Sequence, residues 1–362
     1  MDTDEKIRIV KAAAQEIVTE EELRALFEQK PSPVAYDGFE PSGLAHLPLG
    51  VYRPLLLKEF MKTGIKFKLL LADSFAWING KLGGDLERIR IAGTYFLEVW
   101  KAAGVDLDKV EVVWHKDLFD SGEYWDKVMR VAKNHSEKRT KRCLTIAGRK
   151  EDEVKETAQL FYPSMQVADI FQLKVDICQL GMDQRKANML AREVAPMLGY
   201  KKPIAIHHRM LLGLDGYSSA SAADEAAKKE LEIEAKMSKS KPASCIFVHD
   251  SREEIGKKMT KAYCPPQVIE GNPVMEYAKE IIFRAFPEMT IKRDPKYGGP
   301  MQFQSYQELE KEFVAGKIHP MDLKASVAEG LDTLIEPVRK HFKNDPAAAK
   351  LYEQMKQADI TR

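Results

Sequence analysis

Charge of either sign is not in surplus in this chain. Its 362 residues carry 56 Lys and Arg against 55 Asp and Glu, a formal net charge of +1. Bulk charge therefore gives no reason to expect a coat of nucleic acid or of acidic membrane. Cysteine is scarce. Cys143, Cys178, Cys245 and Cys264 are scattered with no C-x-x-C spacing, which predicts reduced, structural thiols in a cytosolic protein and neither a disulfide framework nor a zinc site. No apolar run reaches about 18 residues, so no membrane span is expected. The start, Met1-Asp2-Thr3-Asp4-Glu5, is acidic and has no apolar signal-peptide core. Internal repeats and low-complexity linkers are missing. So are G-x-G-x-x-G and G-x-x-x-x-G-K-[ST], which leaves a dehydrogenase or P-loop reading without its phosphate-binding device.

What is present is a 44% hydrophobic chain long enough for two domains. Ile7, Val10, Ala14 and Ile17 recur at helical spacing, and Thr19 with Glu22 forms a capping box for a second helix. Val34-Ala35-Tyr36, Phe67 to Leu71, Val110 to Trp114, Val175 to Leu180 and Ile204 to Ile206 read as strands. Helices are expected over about Tyr52 to Met61, Leu86 to Ala103 and Gln184 to Leu198. Strands alternating with helices of this length predict an α/β fold, a Rossmann-type doubly wound parallel sheet. Beyond a short apolar, strand-like piece, Cys245 to Val248, the texture becomes helical. Ser251, Asn272-Pro273, Ser305 with Glu308, and His319-Pro320 each open a helix. The expected division is a sheet domain over 1–248 and a smaller α-helical domain over 249–362.

Chemistry concentrates in a few stretches. Lys236-Met237-Ser238-Lys239-Ser240 is a cationic loop whose ammonium groups and hydroxyls suit a polyphosphate. A solvated surface loop would have the same composition, so the reading depends on company elsewhere. Open α/β sheets bind ligands beyond the carboxyl ends of their strands. There stand Tyr36-Asp37-Gly38-Phe39-Glu40-Pro41-Ser42-Gly43 with His46, and the strand-to-helix turn Gly181-Met182-Asp183-Gln184-Arg185-Lys186. Tyr162, Gln166 and Asp169 fall on one helix face at i, i+4 and i+7. A phenol, an amide and a carboxylate set among apolar neighbours need partners, which a ligand can supply. From Lys127 to Lys150 nine Lys or Arg stand against one acidic residue, Glu137, a local patch fit for a phosphate backbone.

These motifs are collinear with a known family. G-F-E-P-S-G at 38–43, L-A-D at 71–73, Y-P-x-M-Q-x-x-D at 162–169, G-M-D-Q-R-K at 181–186 and K-M-S-K-S at 236–240 resemble the archaeal and eukaryotic tyrosyl-tRNA synthetases, within the class I aminoacyl-tRNA synthetases. K-A-Y-C-P at 261–265, E-G-N-P at 270–273 and H-P-M-D-L-K at 319–324 resemble that subfamily's anticodon-binding domain. The resemblance implies that Tyr36 and Asp169 bind the phenolic hydroxyl of tyrosine. It implies that Tyr162, Gln166 and Gln184 hold the α-amino group and that Glu40 lines the pocket. Gly38, His46, Lys236, Ser238, Lys239 and Ser240 fall to ATP, with His46, Lys236 and Lys239 catalytic. Arg142, Arg185 and Lys186 would meet the tRNA acceptor stem, and Tyr297, His319 and Asp322 the anticodon.

The chain departs from the family pattern at the first signature, at Asn188 and at Tyr297, which replaces a phenylalanine of some relatives and keeps the stacking face. The first signature reads His46-Leu47-Pro48-Leu49-Gly50, with one histidine instead of two and one extra residue before the next helix. Asn188 stands where relatives can carry histidine. The implied reaction activates tyrosine with ATP and Mg²⁺ and then charges tRNA, in a cytoplasmic homodimer with no resident metal. Two alternatives stay open: a tryptophanyl-tRNA synthetase, whose indole offers only a donor, and a non-catalytic RNA-binding relative.

Overall fold

The computed structural model describes residues 1–147, 156–218, 231–232 and 234–360. Six strands share one sheet: β1 (Glu16–Val18), β2 (Val34–Phe39), β3 (Lys66–Leu71), β4 (Val110–Trp114), β5 (Ile177–Gly181) and β6 (Ile204–His208). Their spatial order is β1-β6-β5-β2-β3-β4, with β2 to β6 parallel and β1 antiparallel along β6. From β2 the chain first builds outward through β3 and β4, then returns to the other side of β2 with β5. That reversal makes the β2–β5 boundary the switch point, where a crevice opens at the strand ends.

The helices of this part are α1 (Thr3–Ala13), α2 (Glu20–Gln29), α3 (Arg53–Lys62), α4 (Asp73–Ile78), α5 (Leu86–Ala102), α6 (His115–Phe119), α7 (Gly122–Lys133), α8 (Glu137–Cys143), α9 (Tyr162–Gln172) and α10 (Arg185–Val194). Side chains alternate across the sheet. Leu69 and Leu71 pack with Phe60 and Phe96 of α3 and α5 on one face. Leu70 and Tyr36 pack with Ile170 and Leu190 of α9 and α10 on the other. Both faces are thus covered, and β5 and β6 are buried along their whole length, as the apolar runs of a parallel sheet require.

Three expectations are corrected. Ile17 does not continue the first helix: α1 stops at Ala13, and Ile17 pairs with Ile206 as part of β1. Its distance from Val10 and Ala14 suited a helix, but the β-branched Ile17-Val18 pair found an open sheet edge. Residues 245–248 form no strand; Phe247 makes one isolated bridge, to His46. The carboxyl-terminal part is helical as expected, but it also holds a two-stranded antiparallel ribbon, β7 (Met289–Ile291) and β8 (Met301–Phe303). Its helices start where the caps predicted, at Ser251, Asn272, Ser305 and His319. Only half of one box forms, because the Glu308 carboxylate accepts from Gln304 N instead of Ser305 N. The main apolar cluster runs from α3 and α5 into Ile255, Val274 and Leu331 without a break. The four cysteines are free and buried. Among the described residues no helix is long and apolar enough to cross a membrane.

Candidate active site

Tyr36 lies on β2, 1% exposed, and its hydroxyl lacks a well-aligned hydrogen-bond partner. Burial pushes its phenol well above the usual range, with Cys178 and Asp169 acting in the same direction. A buried hydroxyl of this kind is costly unless something comes to meet it. Across from it, α9 presents the three residues that the i, i+4, i+7 spacing put on one face, each buried. The Asp169 carboxylate accepts from the Tyr124 hydroxyl at 2.8 Å and lies 2.9 Å from His115 Nε2. Gln166 donates to Gln184 Oε1 at 3.1 Å, and Gln184 in turn donates to the Ile146 carbonyl at 3.0 Å. The Tyr162 hydroxyl donates to Glu40 at 3.3 Å, and Asn79 donates to the same carboxylate oxygen at 2.5 Å. β2, α9 and the turn after β5 therefore gather the six expected tyrosine-pocket residues as three separate hydrogen-bonded groups, Asp169 with Tyr124 and His115, Gln166 with Gln184, and Tyr162 with Glu40, beside the buried Tyr36 hydroxyl. At Gly38 an added Cβ would make only an ordinary contact, 3.9 Å from Tyr36 Cε2.

On the side expected to meet ATP, Gly43 takes a positive φ of 72°, a turn that glycine adopts without strain. His46 follows, its Nδ1 buried without a partner. Burial, helped by the charges of Lys239 and Lys236, holds this imidazole well below the usual histidine range, so it is neutral. The extra residue of the first signature has a structural answer: Pro48–Tyr52 forms a π-helical turn, which takes one more residue than an α turn. Trp100 Nε1 donates to Leu49 O at 3.1 Å and pins it. Gly50 is forced by close packing, because a Cβ would stand 2.4 Å from Val248 Cγ1.

Both lysines of the Lys236–Ser240 loop reach back to this crevice. Lys236 Nζ pairs with Asp183 at 2.7 Å, and Lys239 Nζ donates to the carbonyl and hydroxyl of Ser42. Met237 between them is 4% exposed and packs in the core, so the loop is anchored by its middle residue. Ser238 and Ser240 hydroxyls lie 2.9 Å apart. Beneath the crevice, the Arg53 guanidinium joins Asp37, Gln179 and His208, all buried. Burial pushes Asp37 up to about 6 against the pull of Arg53. Sequence reasoning singled out neither this network nor His115, Tyr124, Asn79 and Asp183. Asp183 sits inside G-M-D-Q-R-K, and His115 directly follows β4, so position after a strand was the available signal.

Arg142, Arg185 and Lys186 gather with Arg139, Met189 and Glu193 around an open pocket of about 340 Å³. Arg185 is steadied by Glu16 at 2.8 Å. Arg149 and Lys150 of the basic patch lie outside the described residues, as do 224–230 and 233 of the charged run before Lys236. Asn188 donates toward His207 Nε2 at 3.0 Å and is fully buried, a structural place. Farther along the chain, Tyr297 is 65% exposed, and His319 caps its helix through Met321 N. Arg293 bonds both Gly299 O and Lys317 O, tying the Tyr297 turn to the approach to His319 and Asp322.

A sheet with a switch-point crevice, two loop lysines and a neutral histidine fits a class I synthetase. The chain belongs to that family: residues 28–336 match the tRNA synthetases class I (W and Y). It is 42% identical over its whole length to a cytoplasmic tyrosine–tRNA ligase of Arabidopsis thaliana, covering 90% of that protein. It is 43% identical to tyrosine–tRNA ligases of Saccharolobus islandicus, covering each chain completely. Among solved structures it is similar to tyrosyl-tRNA synthetase of Pyrococcus horikoshii complexed with L-tyrosine, at 42% identity and a TM-score of 0.90, over 98% of this chain and 100% of that one.

Proposed function

We propose that this chain is a tyrosine–tRNA ligase. The observation that carries the substrate is the buried Tyr36 hydroxyl without a well-aligned partner, set with Asp169 in one pocket. A phenol can donate to Asp169 and meet Tyr36 together, whereas an indole N–H can only donate. A site built to hydrogen-bond a hydroxyl rejects the analogue lacking it, a principle for which tyrosine against phenylalanine is itself the standard example. Tyr162, Gln166, Gln184 and Glu40 would hold the other end of the amino acid.

In the first step the tyrosine carboxylate attacks the α-phosphate of ATP in line, forming tyrosyl-adenylate as pyrophosphate leaves. Lys236 and Lys239 would stabilise charge on the phosphates, exchanging Asp183 and Ser42 for phosphate oxygens. Neutral His46 offers a ring N–H to the same oxygens without needing a proton. Gly38, Ser238 and Ser240 complete the nucleotide's surroundings. In the second step a ribose hydroxyl of the terminal tRNA adenosine attacks the activated carbonyl and AMP leaves. Among the described residues no three His, Cys, Asp or Glu side chains are grouped to hold a metal ion. The expected Mg²⁺ fits as a companion of ATP, whose phosphates supply its ligands.

The partner of the basic pocket is the tRNA acceptor stem, through Arg142, Arg185 and Lys186. Tyr297 offers a stacking face and Asp322 an acceptor for an unstacked anticodon base. On this reading residues 1–248 form the catalytic unit and 249–362 the anticodon unit. A homodimer in the cytoplasm is proposed as well; exposed Trp77, Leu160 and Phe161, joined through the Phe119 and Trp125 rings, are the apolar surface in its favour. ATP–pyrophosphate exchange against all twenty amino acids tests the assignment. Exchange with tyrosine is expected; exchange with tryptophan instead would overturn the substrate, and none at all would favour an RNA-binding role.

A further inference from the structure

The Lys236 loop is held by the part of the chain that follows it. Leu211 to Gly213 runs antiparallel beside Ala235 to Met237: Gly213 N donates to Ala235 O at 2.8 Å, Met237 N to Leu211 O at 2.7 Å, and Leu212 faces Lys236. In such a pair the N–H and C=O of Leu212 point to the opposite edge, where a further strand would ordinarily satisfy them. Two consecutive residues of the helix Pro273–Tyr277 take that place. Glu276 accepts from Leu212 N at 2.7 Å, and the Tyr277 hydroxyl donates to Leu212 O at 2.5 Å. The Tyr277 residue is fully buried and the Glu276 side chain is 8% exposed.

The same segment also grips the far side of the loop. Leu214 N donates to Ser244 O at 2.9 Å and Asp215 N to Ser244 Oγ at 3.1 Å. A third tie is ionic: Arg209 lies 3.2 Å from Glu276 and 3.6 Å from Glu232, four residues ahead of Lys236. Both ends of the loop thus hang on one short segment, whose Leu212 is held by two adjacent side chains while Tyr263 N donates to its Leu214 O and Tyr217 N donates to Gly271 O.

We propose that Glu276 and Tyr277 are positioning residues for ATP: by fixing Leu212 they set where Lys236 and Lys239 stand, so the helical unit completes the nucleotide site. The inference rests on the reading of those lysines as phosphate ligands. A misplacement of about 1 Å in such a group is enough to slow a reaction strongly. Neither residue faces the tyrosine pocket, so the amino acid should not sense their loss.

The test is ATP–pyrophosphate exchange by the full chain carrying Tyr277→Phe, Glu276→Ala or Glu276→Gln. Tyr277→Phe and Glu276→Ala are expected to raise KM for ATP about tenfold, with KM for tyrosine within about twofold. Glu276→Gln, which keeps an acceptor for Leu212 N, should recover most of that loss. Trypsin should cut faster after Lys236 and Lys239 in the two damaged variants, a readout independent of activity. Unchanged KM for ATP, or a parallel rise for both substrates together with a lowered melting temperature, would overturn the proposal. Should Tyr277→Phe fail to fold, the Glu276→Ala and Glu276→Gln pair decides it alone. Lys239→Ala separates the two readings: if it leaves exchange intact, the lysine assignment fails and takes this inference with it.

Discussion

Tyr36 shows how a single atom can carry a functional statement. Its hydroxyl sits in a position that would weaken a protein with no ligand to bind, because a buried polar group without a well-aligned partner costs free energy. Removing it should therefore harm function and spare the fold. Tyr36→Phe is expected to lower kcat/KM for tyrosine about tenfold, narrow the gap to phenylalanine, and leave the melting temperature unchanged or higher. Exchange kinetics with both amino acids, beside a thermal melt, check this. Lys239 is the opposite case, an exposed-type side chain drawn in to Ser42. Lys239→Ala should cut the exchange rate about a hundredfold or more while KM for tyrosine moves little. A comparable rise in KM for tyrosine would remove Lys239 from the phosphate role.

Among the elements, the short strand β1 does more than close an edge. Glu16 on it accepts from His207 of β6 and from Arg185 at the start of α10, at 2.8 Å each. The His207 hydrogen bond, opposed by partial burial and aided by Arg185, holds the Glu16 carboxyl at about 2, below its ordinary 4.5. The sign follows from linkage: the stabilisation is complete above pH 4.5 and is lost as pH falls towards 2. Glu16→Gln should accordingly be less stable than the parent at pH 7 and converge with it in acid. Urea midpoints measured from pH 7 down to 3 would show parallel curves if the pair contributed nothing. The π turn Pro48–Tyr52 makes a second element-level case. Gly50→Ala must push against Val248 and Val99 and should cost about 1–3 kcal/mol, read as a lower unfolding midpoint.

At the scale of the whole molecule, the proposed sites of activation and of tRNA reading are separated along the chain, with Tyr297, His319 and Asp322 outside the crevice that holds Tyr36 and Asp169. Asp322→Ala should slow tRNA charging about tenfold or more, the cost of losing one base contact, and leave tyrosine-dependent exchange nearly unchanged. Equal loss in both would remove the anticodon role. The proposed clamp on Leu212 makes the opposite demand, because it enlists the later part of the chain in holding the Lys236 loop. The two expectations are compatible, since Asp322 opens the helix Pro320–Asn344 while Glu276 and Tyr277 lie in Pro273–Tyr277.

The sequence by itself determined what is local or periodic. Strands β2 to β6 were legible from short apolar runs between turns, and β4 had the same ends in the sequence as in the fold. The caps at Thr19, Ser251, Asn272 and His319 were legible because a cap needs only a side chain and the next two or three backbone N–H groups. The pocket face of α9 was legible because i, i+4 and i+7 is a property of any helix. Only the tertiary structure decided the rest, since each missing piece depends on residues far apart in the chain. Ile17 became a strand because β6, almost 190 residues on, offered an edge. Asp169 found His115 and Tyr124, and Arg53 found Asp37, Gln179 and His208, through the meeting of separate strand ends. The footing of the Lys236 loop on Glu276 and Tyr277 joins two backbone groups to two side chains more than sixty residues later, a contact that no local spacing encodes.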